Sequence, residues 1–263
     1  MSRIFLTGAS SGIGLATAKA LLARGHEVWG SSRDAARLPH LENLHAVELD
    51  LCDRASIQRA YQEAVERAGG FDVVINNAGS GHFGAAESLP AEVLHQQTET
   101  LVFAHVVLCQ LAVDTMRKQG RGLIINVTSL AAELPVPFMA AYNAAKAAMA
   151  SFTMTLQIEL ANTNIRVVDL QPGDINTGFN AALVHGAAAD ARMERAWRTV
   201  EQNMASAPKP ELVAEQIARL VEEPNPPPRL IVGDFFQSNI APILYRLLPQ
   251  RVRIWALRRY YGI

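Results

Sequence analysis

The chain has 263 residues, 49% of them hydrophobic, and its 24 basic and 25 acidic side chains leave a formal charge of −1. That length suits one large α/β unit with a sizeable core, and the charge balance lacks the electrostatic footprint of a nucleic-acid binder. Cys52 and Cys109 are unclustered and lack metal-ligand spacing, which fits a reduced, cytosolic compartment. The first strand signal begins at about residue 3, so no signal or transit peptide is expected. No uninterrupted apolar run approaches the roughly 20 residues a spanning helix needs.

Ile4-Phe5-Leu6 opens the chain as a short β-rich run, followed by a glycine-rich turn and a helical pattern over about 12–24. Further strand signals come at Glu27-Val28-Trp29, Ala46-Val47-Glu48-Leu49, Val73-Val74-Ile75, Leu123-Ile124-Ile125-Asn126-Val127, Val167-Val168-Asp169-Leu170 and Leu230-Ile231-Val232. Helical stretches at about 54–68, 90–118, 138–162 and 210–222 separate them. Strands alternating with helices predict an α/β fold: a single doubly wound Rossmann-type domain with a seven-stranded parallel sheet covered on both faces. Ligands are then expected beyond the carboxyl ends of the strands. The Ala-rich segment 174–208 has no strand signal and reads as a helical insertion or substrate lid, and Pro224-Asn225-Pro226-Pro227-Pro228 as a stiff connector into the last strand.

Two patterns carry chemistry. The turn Thr7-Gly8-Ala9-Ser10-Ser11-Gly12-Ile13-Gly14 lies between the first strand and its helix. Its glycines let the backbone turn sharply and approach a pyrophosphate seated at a helix N-terminus. Tyr142 and Lys146 are four residues apart in a helical pattern, so they share a face about 5–6 Å apart at Cβ. The ammonium is expected to lower the phenol pKa from about 10 toward the working range of a general acid/base.

These motifs, taken with Asn76-Asn77-Ala78-Gly79 after the fourth strand and Ser129 thirteen residues before Tyr142, resemble the short-chain dehydrogenase/reductase family. The resemblance runs from about residue 3 to about 178. It implies Tyr142 as general acid/base, Lys146 as its pKa-lowering partner and ribose ligand, and Ser129 as the group that orients the substrate carbonyl. It also implies a cofactor site built from Gly8, Ser10, Ser11, Gly12, Ile13, Gly14, Arg33, Asp50, Leu51, Asn77, Ala78, Gly79, Tyr142, Lys146, Pro172, Gly173, Ile175 and Thr177. Within it Asp50 would meet the adenine, and Pro172-Gly173-Asp174-Ile175-Asn176-Thr177 the nicotinamide end. No metal is implied.

The second strand ends Gly30-Ser31-Ser32-Arg33, with Ser32 where an NAD-binding member usually places an acid. A guanidinium can fork onto a 2′-phosphate, so the expected cofactor is NADP(H) in preference to NAD(H), with Asp34 just downstream opposing that choice. One family feature is missing. An Asn commonly found in the long helix after the fourth strand, where it helps a water connect Lys to solvent, is replaced here by Leu101. His105, one turn on, either faces the same groove or is a surface or interface histidine, and the second reading is preferred. The substitution keeps open a weakly active or non-catalytic NADP(H)-binding sensor beside the enzyme.

Leu134, Val136, Phe138 and Met139 before the Tyr, and Phe179, Leu183, Val184, Met193 and Trp197 in the insertion, predict an apolar pocket for a lipophilic ketone or alcohol, with about half of them serving as core. From Phe235 onward Arg246, Arg251, Arg253, Arg258 and Arg259 interleave with apolar residues and no acid, predicting basic amphipathic helices broken at Pro249. Such helices lie on an anionic membrane surface, close a pocket or pack on a second subunit; the last two readings together are preferred. This tail resembles the hydroxysteroid and retinol dehydrogenase branch of the family. The resemblance further implies a homodimer or homotetramer built from the helices at about 90–118 and 138–162.

Overall fold

A computed structural model describes residues 1–179, 183–186 and 191–263. Seven strands form one parallel sheet: β1 (Arg3–Leu6), β2 (Glu27–Ser32), β3 (Leu44–Glu48), β4 (Val73–Asn76), β6 (Gly122–Val127), β7 (Ile165–Pro172) and β9 (Arg229–Val232). Their spatial order is β3-β2-β1-β4-β6-β7-β9, so the chain first winds outward from β1 to β3, then crosses back to β4 on the other side of β1 and winds the opposite way. All seven expected strands and the doubly wound architecture are present. The reversal opens the crevice at the carboxyl ends of β1 and β4.

Alternation along the strands supplies two cores. Phe5, Val74, Ile124 and Val167 face α2 (Arg54–Ala68), α4 (Ala104–Gln119) and α5 (Ala140–Glu159). Ile4, Leu6, Ile75, Ile125 and Val168 face α1 (Gly12–Ala23) and α7 (Pro210–Glu222). Helix boundaries follow local chemistry. The Asp53 carboxylate caps α2 at the Ala55 N–H, and left-handed Gly69 ends that helix. Pro210 takes the first position of α7, where no N–H is needed.

The long helix expected at 90–118 is present but not uniform. Between α3 (Ala91–Thr98) and α4 the backbone winds as a π-helix over Glu99–Phe103, the turn that carries Leu101. By length and composition Ala91–Gln119 could cross a membrane, yet Leu108, Ala112 and Met116 pack it onto the sheet.

A further strand corrects the reading of the insertion. β5 (His82–Phe83) pairs in parallel with β8 (Val184–His185), inside the segment expected to lack strands. Two residues are too few for a periodic signal, and the pairing is made only by tertiary approach. α6 (Ala191–Ser206) supplies the expected helix; the parts of the insertion at 180–182 and 187–190 lie outside the described residues. A third apolar cluster joins Phe83, Met139, Leu183, Met193 and Val200 to Tyr261 of the last helix. α8 (Ala241–Leu247) and α9 (Gln250–Tyr261) meet at Pro249, as the sequence predicts.

Candidate active site

A single cleft of about 1030 Å³ runs along the carboxyl ends of the strands, and every catalytic and cofactor residue named from the sequence lines it. Its floor begins at the glycine turn. Gly8 has φ +70°, and a Cβ there would stand 2.9 Å from Ala78 Cα; a Cβ on Gly14 would run into the Gly8 carbonyl oxygen. Thr7 Oγ1 accepts the backbone N–H groups of Asn77 and Ala78 at 2.9 and 3.0 Å, and Asn77 Nδ2 donates to Thr7 O at 2.9 Å. The turn and the Asn76–Gly79 segment are therefore one rigid unit. Ser11 makes no side-chain cap on α1, and the first turn of that helix has no acid. Its leading N–H groups suit an anion, so these residues fit the pyrophosphate of a dinucleotide.

At the adenosine end the carbonyl of Ser32 accepts the Leu49 N–H at 2.9 Å, and Asp50 Oδ1 accepts the Cys52 N–H at 2.9 Å. Arg33 lies exposed at the rim. Sequence reading missed Arg37, which also borders the cleft. Asp34, between them in sequence, caps the short turn Ala35–Arg37, its Oδ1 accepting the Ala36 N–H at 2.9 Å. Ser32 Oγ donates to Ser10 Oγ at 3.4 Å.

At the other end α5 presents Tyr142 and Lys146 on one face. Asn143 holds the start of that helix, donating to Val136 O at 2.8 Å and accepting the Val136 N–H at 3.3 Å. Phe138, just ahead, has a positive φ of 64°, and its carbonyl accepts the Gly84 N–H at 2.8 Å. Lys146 is 4% exposed, donates to Val127 O at 2.8 Å and stands 5.7 Å from the centroid of the Tyr142 ring. Burial pushes the Tyr142 phenol up, with its hydrogen bond to Ser129 pulling the other way and Asp174 adding to the rise. Burial also pushes Lys146 down to about 8, opposed by the charge of Asp169. This corrects the expected direction for the phenol. Desolvation is the largest cause for both groups, and it shifts each toward its neutral form against the Ser129 hydrogen bond in one case and the Asp169 charge in the other.

Behind the pair lies a charged network that sequence reading did not find. Asp169, 2% exposed, accepts from Thr128 Oγ1, from Gln171 Nε2 at 2.9 Å and from Arg229 Nε at 2.9 Å. Arg229 continues to Glu133 at 2.5 Å, and Arg246 of α8 meets both Glu133 oxygens at 2.7 and 3.0 Å. The C-terminal segment is thereby tied to the loop that follows Ser129. Gln237 makes a second tie, donating to Asp174 Oδ2 at 2.7 Å and accepting the Asp174 N–H at 3.0 Å.

Leu101 is fully buried. His105, expected at a surface or interface, is 1% exposed instead. Burial first, then the charge of Lys146, pushes its pKa down to about 3, against a hydrogen bond to the Leu101 backbone. Its Nε2 has no hydrogen-bond partner among the described residues.

The apolar wall is partly as expected. Leu134, Val136, Met139, Phe179 and Val184 line the cleft, while Phe138, Leu183, Met193 and Trp197 pack in the third apolar cluster. Phe179 stacks obliquely near Tyr142, with ring centroids 5.6 Å apart. Tyr245, Leu248, Leu257 and Tyr261 complete the wall from the C-terminal helices.

Comparison with known proteins agrees with this geometry. Residues 2–188 match the short chain dehydrogenase family model. A 3-ketodihydrosphingosine reductase of Bacteroides thetaiotaomicron is 33% identical over 99% of this chain and 98% of its own length. A short-chain dehydrogenase structure from Streptomyces avermitilis superposes with TM-score 0.84 and 27% identity, covering 98% of this chain and 96% of that one. A 3-ketoacyl-(acyl-carrier-protein) reductase from Brucella melitensis complexed with NADH superposes with TM-score 0.73 and 28% identity, covering 83% and 90%. The chain is a member of the short-chain dehydrogenase family and an oxidoreductase of that family's type.

Proposed function

We propose that this protein reduces a lipophilic long-chain ketone with NADPH. The observation that carries the reading is the juxtaposition, in one cleft, of an anion-seating glycine turn with Ser129, Tyr142 and Lys146 beneath an apolar wall. When bound, the nicotinamide supplies a hydride. Tyr142, kept protonated by its raised pKa, gives its phenolic proton to the substrate oxygen. The Ser129 hydroxyl hydrogen-bonds that oxygen as negative charge develops on it. Lys146, held by Val127 O, stays cationic below about pH 8 and stabilises the phenolate left behind. Two arginines at the rim, no carboxylate in the Ser32 position and an Asp34 turned onto its own backbone favour a 2′-phosphate over a free hydroxyl.

The relative from Bacteroides is named for a long-chain 3-keto amine, and the apolar wall supports a substrate of that class. Phe103, Met154 and Ile158 are exposed on the helices around α4 and α5 and support a homo-oligomer. The test is oxidation of NADPH and of NADH by the purified protein with 3-ketodihydrosphingosine, a steroid ketone and retinal. Turnover confined to short polar ketones would overturn the substrate class. Leu101 favours a second reading, a cofactor-binding sensor; tight NADPH binding without turnover on any carbonyl would select it.

A further inference from the structure

The C-terminal helices have two faces with different partners. Their inner face walls the cleft through Tyr245, Leu248, Leu257 and Tyr261. Their outer face is apolar and uncovered. Ile243 and Leu247 of α8 are 61% and 77% exposed, and Ile254 and Trp255 of α9 are 50% and 66% exposed. The spacing is helical in both: Ile243 and Leu247 are one turn apart, and Arg251 and Arg258 stand one turn either side of Ile254 and Trp255. Both arginines are exposed and have no acidic partner among the described residues. From Phe235 onward the chain has five arginines and no Lys, Asp or Glu.

We propose that this face docks on an anionic phospholipid surface. An apolar stripe edged by arginines lets the helices lie in the headgroup plane, with the aliphatic stems along the acyl boundary and the guanidinium groups at the phosphates. Trp255 has the amphipathic ring suited to that depth. The charge favours lipid over a second copy of the chain. A twofold contact would set this face against itself, arginine against arginine, with no acid in the segment to answer them. Docked in this way, the cleft is one helix thickness, about 10 Å, from the lipid. The inference goes beyond the proposed reduction and stands or fails separately from it.

The test is flotation of the full-length protein with vesicles of phosphatidylcholine alone or mixed with phosphatidylglycerol. Binding is expected only with phosphatidylglycerol, and it should weaken as salt is raised. Arg251→Glu with Arg258→Glu should lower the partition coefficient about 30-fold or more, and Leu247→Ser with Trp255→Ser should abolish flotation. Circular dichroism and NADPH binding check that both variants are folded. If either is not, quenching of tryptophan emission by brominated phosphatidylglycerol in the unmodified protein decides, because Trp29 is buried and Trp197 lies in the third cluster. Failure to float, flotation indifferent to both variants, or absent quenching would overturn the proposal. So would light scattering that shows the apolar variant turning a dimer into a monomer, which would make this face a contact between copies.

Discussion

The side chain of Leu101 lies against Gly79: a Cβ built on that glycine would stand 3.2 Å from Leu101 Cδ2 and 4.0 Å from Lys146 Nζ. A hydrocarbon therefore fills the space beside the buried lysine, in a π-helical turn, where the family resemblance implies an Asn. Leu101→Asn should raise kcat or shift its pH profile if proton supply to Lys146 limits turnover. A buried amide without partners costs about 1–3 kcal/mol, so melting must be measured beside rate. If a well-folded variant keeps native rates across pH, His105→Ala is the discriminating change. An unaltered profile there would leave backbone carbonyls as the remaining route.

Tyr142→Phe should lower turnover about 10²–10⁴-fold with little change in NADPH affinity, because it removes the proton donor and keeps the ring beside Phe179. Stopped-flow cofactor binding and steady-state kinetics separate the two effects. Near-native turnover would remove Tyr142 from the mechanism.

Arg33→Asp should shift the ratio of kcat/KM for NADPH over NADH toward NADH by about 10- to 100-fold, the range of a charge-assisted hydrogen bond. Arg37→Ala should move it less, since it removes one cation and introduces no carboxylate. Equal ratios in all three proteins would mean that neither arginine meets the phosphate.

Reduction should fall as pH rises through about 8. Lys146 loses its charge there, and the phenolate formed on proton donation loses its stabilising cation. The sign for stability is opposite. Lys146 has a folded pKa below its unfolded value, so the unfolded chain binds more protons between about 8 and 10.5, and this residue's contribution to stability grows as pH rises through that window. A kcat/KM profile flat to pH 10 would separate Lys146 from the chemistry.

Arg229→Leu should destabilise the fold by about 3 kcal/mol at neutral pH by leaving the Asp169 carboxylate buried without its cation. Burial already raises the pKa of Asp169 against Arg229, so the variant raises it further. The deficit should shrink as pH falls and Asp169 takes up a proton. A gap between variant and parent that is constant from pH 7 to pH 4 would show that the loss comes from packing instead.

The strands and the phosphate turn were legible because their signals are local. Ile4-Phe5-Leu6 alternates between two cores, and a Cβ on Gly14 would run into the Gly8 carbonyl oxygen within one strand–helix junction, whereas the close neighbour of Gly8 is Ala78, beyond β4. Tyr142 and Lys146 share a face by helix geometry alone. Their protonation was not legible. Whether attraction or desolvation governs the pair depends on how deeply α5 is covered, and residue spacing carries no record of that. His105 was misplaced for the same reason. The pairing of His82–Phe83 with Val184–His185 is too short to show a period, and Glu133–Arg229–Asp169 is assembled from separated loops and strands. Basic and apolar residues near Pro249 announced two helices but not which face would close the cleft.

The wall built by Tyr261 and its neighbours is also the last part of the cleft to be translated. The glycine turn and its partners Asn77 and Ala78 all come from the first third of the chain. The cleft stays open on one side until α9 emerges and Tyr261 seats among Phe83, Met139 and Val200. A chain ending before Pro249 would lack Leu257 and Tyr261, and its cleft would be open along that wall while the glycine turn and its partners stayed complete.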